Sequence, residues 1–350
     1  MRNKKYYINK QKRRTVPKKK WNLFGAVLLF MVILPYVCAT FMGSVRIYEK
    51  KTYTSPIIVL RQTDMGTERI PLEEYLIGAL AASMDPAYEA EALKAQAVIL
   101  RTMVHKQYQN RKNKNSNDVH VENLAQAYMT LRQMKERFGS QFEEYYNRLE
   151  MAVTETEGCI VQYENIAVDT PYFLLSAGRT RSGREAFESA EYPHLQSVDS
   201  AGDMRAQDYL CLYSYDKNQF QKRMEEVFRE HGVKLETNSL SGNSVSENDT
   251  VQDAGINISR IKLQRDSSGY VQTVQIGAWK ISGEAFRNFL NLNSACFTIE
   301  EKSNTVEITT KGIGHGVGMS QYGANELAKS GKDYIEILQH YFTNIQIQRK

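Results

Sequence analysis

A stretch of 13 residues near the C-terminus, Gly312–Ala324 (GIGHGVGMSQYGA), constrains the backbone more than any other part of the chain. Its glycines are Gly312, Gly314, Gly316, Gly318 and Gly323. Glycine at alternate positions permits a left-handed backbone and the close approach of a second segment, at an entropic cost. His315 lies among these glycines, and Ser320, Gln321 and Tyr322 follow. The pattern predicts either one wall of a ligand site or a turn that leads into a helix.

The first 45 residues have the composition of a membrane anchor. Residues 1–20 contain ten Lys or Arg and no acid, and the 23 residues Leu23–Val45 carry no charge. At ~1.5 Å per residue, such a run crosses a hydrocarbon layer of ~30 Å. We therefore predict a protein of the cell membrane. It has a basic cytoplasmic tail (1–20), one transmembrane helix (21–45) and an extracytoplasmic remainder. The alternative is a cleaved signal peptide, although the apolar run exceeds the usual ~7–15 residues and no Ala-x-Ala site follows.

The net charge of the chain comes from this tail. The whole chain is +5, but residues 46–350 carry 35 basic and 40 acidic side chains, a balance of −5. The basic composition is therefore no argument for nucleic acid, which we exclude as a partner. Cys159, Cys211 and Cys296 are too few and too scattered for a disulfide framework, and we expect small buried side chains.

Two predicted helices meet at a corner early in the exported region. After a strand at Ser55–Leu60 and a turn at Met65–Arg69, the first helix begins near Pro71. Asp85-Pro86 ends it, and the second helix covers Glu89–Tyr108. Side chains of the corner, Ser83–Tyr88, can therefore project into a cleft.

The remaining pattern mixes helices with antiparallel strands, which predicts an α+β domain over 70–350 that follows a juxtamembrane segment at 46–69. A long helical stretch, Glu122–Val153, is interrupted near Gly139, and residues 236–255 form a flexible insertion rich in Ser, Asn and Asp. The other predicted strands are Cys159–Tyr163, Ala167–Leu175, Ile258–Gln264, Tyr270–Ile276 and Thr305–Thr310, and the other predicted helices are Phe220–His231, Ile281–Leu292 and Asn325–Phe342.

Several blocks occur in an order that resembles the stage II sporulation protein D and amidase-enhancer family. They are PLEEYLIGALAASMDP, EALKAQAVILRT, TPYFLLSAGRTRSGREAF, YPHLQSV, ISGEAFRNFLNLNSACF and GIGHGVGMSQYGANELAKSGKDYIEILQHYF. The resemblance covers most of residues 70–345. It implies glycan strands of peptidoglycan as the ligand, in sporulation or in cell-wall remodelling, without a cofactor. It also implies a cell-wall amidase and other envelope or engulfment proteins as partners.

The resemblance further implies lytic transglycosylase chemistry, but this chain departs from the family at the key position. Family members use one carboxylic acid, a Glu in a Glu-Met-Pro segment, and such an acid needs a raised pKa. The matching residue here is Ser83, in Ser83-Met84-Asp85-Pro86. Two hypotheses stay open: a glycan-binding protein that acts with an amidase, and an active transglycosylase with a relocated acid, Asp85.

The candidate ligand contacts lie in two loops. The glycine segment supplies His315, Ser320, Gln321 and Tyr322, and the loop AGRTRSG at 177–183, with the residue before it, supplies the others. These others are Ser176, Arg179 and Thr180, with Arg181 as either a cleft residue or exposed hairpin polarity.

No metal is expected. The resemblance implies a Cys and a His as zinc ligands in some members, whereas His120–Tyr128 holds His120 and no Cys. A zinc site needs three or four ligands.

Overall fold

The computed structural model describes residues 53–111, 116–124, 126–230, 258–276 and 279–350. The predicted tail (1–20), transmembrane helix (21–45) and flexible insertion (236–255) lie outside the described residues. Among the residues described, no helix combines the length and the apolar character needed to cross a bilayer. Residues Tyr53–Lys350 form one compact unit.

The unit begins with a hairpin and a set of helices. In order they are β1 (Ile58–Thr63), β2 (Gly66–Pro71), α1 (Leu72–Ser83), α2 (Ala90–Asn110), β3 (Asp118–His120), α3 (Leu131–Phe138) and α4 (Phe142–Glu155). β1 pairs antiparallel with β2 and parallel with β3. The predicted turn at Met65–Arg69 is wrong beyond Met65, because Gly66 has a φ of +119° and lets the chain reverse at once.

The first two predicted helices are confirmed as α1 and α2, with the corner between them. The long predicted helix Glu122–Val153 is wrong at its start, because α3 begins only at Leu131. Thr130 precedes it and forms a capping box with Gln133, which satisfies the first backbone N–H groups and fixes the start of the helix. The predicted interruption near Gly139 is confirmed by a short 3-10 turn between α3 and α4.

A buried ion pair joins the helices. Arg101 of α2 donates to Glu73 of α1 through Nε at 2.9 Å and Nη2 at 2.6 Å. Its other N–H groups reach the carbonyl oxygens of Val153 and Cys159. Glu73 lies in the first turn of α1, where it is buried and neutralises this guanidinium.

The middle of the chain is richer in strands. It contains β4 (Cys159–Tyr163), β5 (Ile166–Ala167), β6 (Tyr172–Phe173), α5 (Gly183–Phe187), β7 (Leu210–Asp216), α6 (Lys217–Glu230), β8 (Ile261–Arg265), β9 (Val271–Ile276), β10 (Trp279–Ser282), α7 (Gly283–Phe289), β11 (Phe297–Glu301) and β12 (Thr305–Lys311). Two antiparallel sheets, ordered β11-β12-β7 and β10-β9-β8, share one apolar cluster with α6 and α7. The predicted helix Ile281–Leu292 is shorter than expected, because Ile281 pairs with Val274 in a strand.

The chain ends beside the first helices. The last elements are β13 (Met319–Ser320), α8 (Gln321–Lys329), α9 (Tyr334–Tyr341) and β14 (Gln346–Arg349). β13 pairs parallel with β6, and β14 completes a small sheet with β4 and β5. Both α8 and α9 pack on α2. The α+β class with mostly antiparallel sheets is confirmed, and α8 lies against the corner.

Candidate functional site

The glycine segment runs alongside residues 171–181, and the alternation of its glycines has a steric cause. Gly312, Gly314, Gly316 and Gly318 all have positive φ, between +75° and +115°. A Cβ at Gly312 would lie 2.6 Å from the carbonyl oxygen of Leu175, and one at Gly318 would lie 2.0 Å from that of Pro171. Backbone bonds such as Arg181 N–H to Gly316 O, at 2.7 Å, hold the two segments together. A side chain at these positions would force the segments apart.

The main chain holds the His315 ring on both sides. Its Nδ1 accepts from the Val317 N–H at 3.1 Å, so Nε2 carries the proton and donates to the Tyr172 carbonyl oxygen, also at 3.1 Å. Burial lowers the pKa of the imidazole and keeps it neutral. The ring also contacts Phe173, with centroids 5.4 Å apart. In this geometry His315 orients the loop, and neither nitrogen is available for proton transfer.

Ser320 caps the next helix. Its Oγ accepts from the Gly323 N–H at 3.2 Å, which starts α8, and the side chain is fully buried. Beneath it lies Asp203, also fully buried, whose Oδ2 accepts from the Ser176 N–H at 2.9 Å and the Ser200 hydroxyl at 3.0 Å. Burial raises the pKa of Asp203. This cluster lies between the start of α8 and Ser176, the residue before the loop at 177–183.

Gln321 brings the end of the glycine segment to the corner. Its Nε2 donates to the Ser83 carbonyl oxygen at 2.8 Å and to Gln96 Oε1 at 3.3 Å. Gln96 is fully buried on α2. One turn further along α8, Asn325 Oδ1 accepts from the Glu89 N–H at 2.8 Å. Helix α8 therefore holds both ends of the corner through main-chain atoms.

Tyr172 links His315 to Ser83. Its carbonyl oxygen accepts from the His315 ring, and its hydroxyl group lies near the Ser83 side chain, whose Oγ donates to the Leu80 carbonyl oxygen at 3.4 Å. Burial raises the pKa of Tyr172, so its hydroxyl stays protonated and remains a donor. Sequence patterns did not single out this residue, because a Tyr beside a Phe in a short strand is typical of a core position.

A groove of about 360 Å³ opens beside the corner. Its lining consists of Ala82, Ser83, Met84, Asp85, Pro86, Arg137, Phe138, Gln141, Tyr145, Leu174 and Gln321. The groove thus offers hydroxyl, amide, aromatic and charged groups on one surface, which is the chemistry that a hydroxyl- and amide-rich ligand needs. Of the predicted site residues, Ser83, Asp85 and Gln321 line it.

Asp85 is exposed at the turn of the corner. Its Oδ1 accepts from the Ala87 N–H at 2.9 Å, an arrangement that fixes the turn before α2. Arg148 of α4 donates from Nε to the Pro86 carbonyl oxygen at 2.9 Å, and a second donor of Arg148 reaches the Tyr88 carbonyl oxygen. The corner is therefore rigidly held, with the Asp85 carboxylate on its open side.

The loop at 177–183 contributes structure more than groove surface. Ser176 is buried and its Oγ accepts from the Gly178 N–H at 3.1 Å. Thr180 is buried and its Oγ1 accepts from the Val198 N–H at 2.9 Å. Arg179 is exposed, outside the groove lining.

Arg181 is buried, so it is not a polar residue on the surface of an exposed hairpin. It is 4% exposed and pairs with Asp266 at 2.7 Å and with Glu284 at 3.0 Å. Tyr322 is half-buried, and its N–H donates to the Leu174 carbonyl oxygen at 3.0 Å.

Sequence reasoning missed the far wall of the groove, which α3 and α4 supply. Arg137, Gln141 and Tyr145 are four residues apart, and Phe138 lies beside the first of them. This spacing places them on one side of a helical path even across the interruption at Gly139. The signal was present in the sequence, but a polar helix face is usually solvated surface.

Among the described residues, no three His, Cys, Asp or Glu side chains are grouped so that they could hold a metal ion. His120 is exposed, with Nδ1 3.8 Å from Glu122.

Comparison with known proteins identifies the family. A family model described as "Stage II sporulation protein" (SpoIID) matches residues 62–163, which include α1, the corner and α2. The chain is 33% identical over 295 residues to stage II sporulation protein D of Bacillus amyloliquefaciens, an alignment that spans 83% of this chain and 77% of that protein. The chain belongs to the stage II sporulation protein D family.

Two further relatives are similar over most of this chain. The chain is 32% identical to stage II sporulation protein D of Bacillus subtilis, over 83% of this chain and 78% of that protein. It is 24% identical to the amidase enhancer of the same organism, over 76% of this chain and 39% of that protein. These relatives support a role related to sporulation or to the cell wall.

Proposed function

We propose that this chain is a membrane-anchored protein of sporulation or cell-wall remodelling that binds peptidoglycan glycan strands in the corner groove and acts with a cell-wall amidase. The observation that carries the proposal is the contact between Gln321 and Ser83, 2.8 Å from Nε2 to the carbonyl oxygen. It joins the two most characteristic blocks of the sequence at the edge of one polar and aromatic groove. Sugar hydroxyls and acetamido groups are suited to its amide, hydroxyl and ring surfaces.

Binding without cleavage fits the groups at the corner. Cleavage by a transglycosylase needs a carboxylic acid that protonates the glycosidic oxygen and then, as a base, helps the sugar's own hydroxyl attack. Ser83 stands where the resemblance implies that acid, and a hydroxyl cannot perform this step. Other polar groups that line the groove, the Gln141 amide and the Tyr145 hydroxyl, can hold a ligand by hydrogen bonds.

The second candidate function is an active lytic transglycosylase with Asp85 as the acid. Asp85 lines the same groove, two residues after Ser83. Against this role, the carboxylate is exposed and one of its oxygens already accepts from the Ala87 N–H. A displacement of about 1 Å from the productive geometry can cost about 100-fold in rate.

The proposed partner is an amidase, in line with the relative named as an amidase enhancer. Stem-peptide removal and glycan binding act on the same polymer, so a protein that holds the strand can present it to the amidase. The anchor, with its tail at 1–20, helix at 21–45 and juxtamembrane segment at 46–69, would keep this activity at the outer surface of the membrane.

The test uses the full chain in mild detergent with glycan strands from which the stem peptides have been removed. We expect the wild-type chain to sediment with the strands and to release no products with anhydro-muramic ends. Ser83→Glu should produce such ends, because it places a carboxylic acid in the groove lining at the position where the resemblance implies one. Ser83→Gln has almost the same shape without the acid and should produce none.

Two results would change this assignment. Anhydro products from the wild-type chain that disappear in Asp85→Asn would establish the transglycosylase instead. Absence of any strand binding by the wild-type chain would defeat both functions. The amidase role is tested separately, by the rate at which a purified amidase releases stem peptides with and without the chain.

A further inference from the structure

Arg137 is the one cation that lines the corner groove, and most of its guanidinium has no acceptor in the part of the protein that the structure describes. Its Nη1 donates to the Ala81 carbonyl oxygen at 3.4 Å and to Met129 Sδ at 3.7 Å. No described acceptor receives a bond from its Nε–H or its Nη2 donors, and no described carboxylate forms an ion pair with it. One edge of the guanidinium is therefore anchored and the other is unused.

The unused edge has the geometry that binds a carboxylate. Nε and Nη2 present two parallel N–H groups, and an Arg fork of this kind donates to both oxygens of one carboxylate. The anchoring contacts to Ala81, at the end of α1, and to Met129 limit where this fork can point. Less side-chain freedom then has to be lost when a ligand binds.

The neighbours of Arg137 complete the surface for a carbohydrate acid. Phe138 and Tyr145 provide aromatic rings, edge to face with centroids 5.5 Å apart, and Gln141 provides an amide between them. The single acidic side chain of the lining is Asp85, and no ion pair joins it to Arg137. The two charges thus act separately, and a ligand with one carboxylate and several hydroxyl groups can satisfy both.

We infer that Arg137 is the specificity-determining residue of the groove and selects glycan strands that carry a carboxylate. This inference rests on the proposed function. The carboxylate has two sources in the polymer: the lactyl group of a muramic acid without its peptide, or a carboxylate of an attached stem peptide. The chemistry of recognition is the same in both.

The test measures the affinity of the full chain in mild detergent for three ligands. These are uncharged chitin oligosaccharides, glycan strands without peptides and strands with intact stem peptides. The wild-type chain should bind a carboxylate-bearing strand about tenfold more tightly than chitin, since a charge-assisted bidentate contact has about this effect. The preference should shrink as the salt concentration rises.

Arg137→Gln should abolish this preference, so that the variant binds charged strands and chitin with about equal affinity. The matched control is Arg132→Gln, on the same helix, where Arg132 is exposed and paired with Glu136 at 2.9 Å. It should behave like the wild type with every ligand. Thermal melting of both variants checks that the loss of the Ala81 contact has not unfolded the groove.

The outcomes distinguish a failure of this inference from a failure of the proposed function. A larger Arg137-dependent preference for peptide-free strands assigns the lactyl carboxylate, and one for peptide-bearing strands assigns the stem. Equal binding of chitin and charged strands by the wild type, or a preference that survives in Arg137→Gln, would overturn the inference alone. Failure of the wild type to bind any of the three ligands would overturn the proposed function itself.

Discussion

At the scale of single residues, the contacts of His315 explain why a histidine lies inside a glycine segment. The ring accepts from one backbone N–H and donates to one backbone carbonyl oxygen on the neighbouring segment. It therefore fixes the separation of the two segments by a directed pair of bonds. An apolar ring of similar size could fill the space but could make neither bond.

The neutral state of His315 can be measured directly. Protonation would place a hydrogen on Nδ1, which now accepts from Val317, and would charge a buried ring. We expect its NMR titration midpoint to lie below the ordinary histidine value of about 6.5. The spectrum of His315→Gln identifies the resonance. A midpoint at or above 6.5 would contradict the assigned hydrogen bonds.

The raised pKa of Asp203 predicts that its contribution to the stability of the fold falls as the pH rises. Because burial raises its pKa, the folded state holds this proton at pH values where the unfolded state, with a pKa of about 3.9, has lost it. Its contribution to stability is greatest below that value and falls as the pH rises through the folded pKa. The free energy of unfolding of the wild type, relative to Asp203→Asn, should therefore decrease with rising pH in the mildly acidic range.

Urea denaturation of both proteins at several pH values measures this difference, and all other titrating groups cancel in it. A difference that stays constant, or that grows with pH, would show that Asp203 is not held in its protonated form.

The sequence predicted which residues lie together at the corner better than it predicted the contacts that each of them makes. Ser83, Asp85 and Gln321 were expected in one cleft and line one groove. Ser320 and Thr180, expected as ligand contacts, are buried donors and acceptors for the backbone. Residue type and loop position cannot distinguish these roles, because a hydroxyl that binds a sugar and a hydroxyl that caps a helix are the same group.

At the scale of elements, the composition of the glycine segment predicted its unusual backbone. It did not predict which neighbouring segment requires the glycines. Pro171 and Leu175 are more than 130 residues earlier in the chain, and a local pattern contains no information about such a partner. The same limit applies to α3, where the side-chain pattern of Glu122–Val153 is helical throughout and only the capping box at Thr130 sets the start. Long amphipathic periods were predicted well, and the ends of elements were not.

Two glycines with similar backbone geometry test the steric argument. Gly318 has a φ of +81° and a Cβ there would lie 2.0 Å from Pro171 O, whereas Gly331 has a φ of +93° and nothing within 4 Å. Gly331→Ala should cost about 1–2 kcal/mol, the penalty of left-handed backbone alone. Gly318→Ala should cost about 2 kcal/mol more, because the two segments must also separate. Urea denaturation compares them, and equal losses would refute the close approach.

At the scale of the whole molecule, Arg181 connects parts that are distant in sequence. Its backbone N–H donates to the Gly316 carbonyl oxygen. Its guanidinium donates to Asp266, in the turn between β8 and β9, and to Glu284 in α7. It also lies over the Tyr270 ring, 5.2 Å from the centroid. The glycine segment, the strand-rich region and the loop at 177–183 thus share one buried cation.

Removal of this cation should be among the most destabilising changes in the domain. Arg181→Met leaves the fully buried Asp266 carboxylate without its partner and should cost about 3–5 kcal/mol of the free energy of unfolding. The double variant Arg181→Met/Asp266→Asn should lose less than the sum of the two single variants, because no buried charge remains. Additive losses in denaturant titrations would show that the pair is not coupled.

Helix α8 grips the corner by its backbone, and this separates the shape of the corner from its chemistry. Gln321 and Asn325 contact the carbonyl oxygen of Ser83 and the N–H of Glu89, groups that every residue but proline possesses. The side chain at position 83 can therefore change while the backbone of the corner stays in place. The same corner can carry a carboxylic acid or a hydroxyl at position 83 without a change of fold, and under the proposed function this one difference separates cutting a glycan strand from holding it.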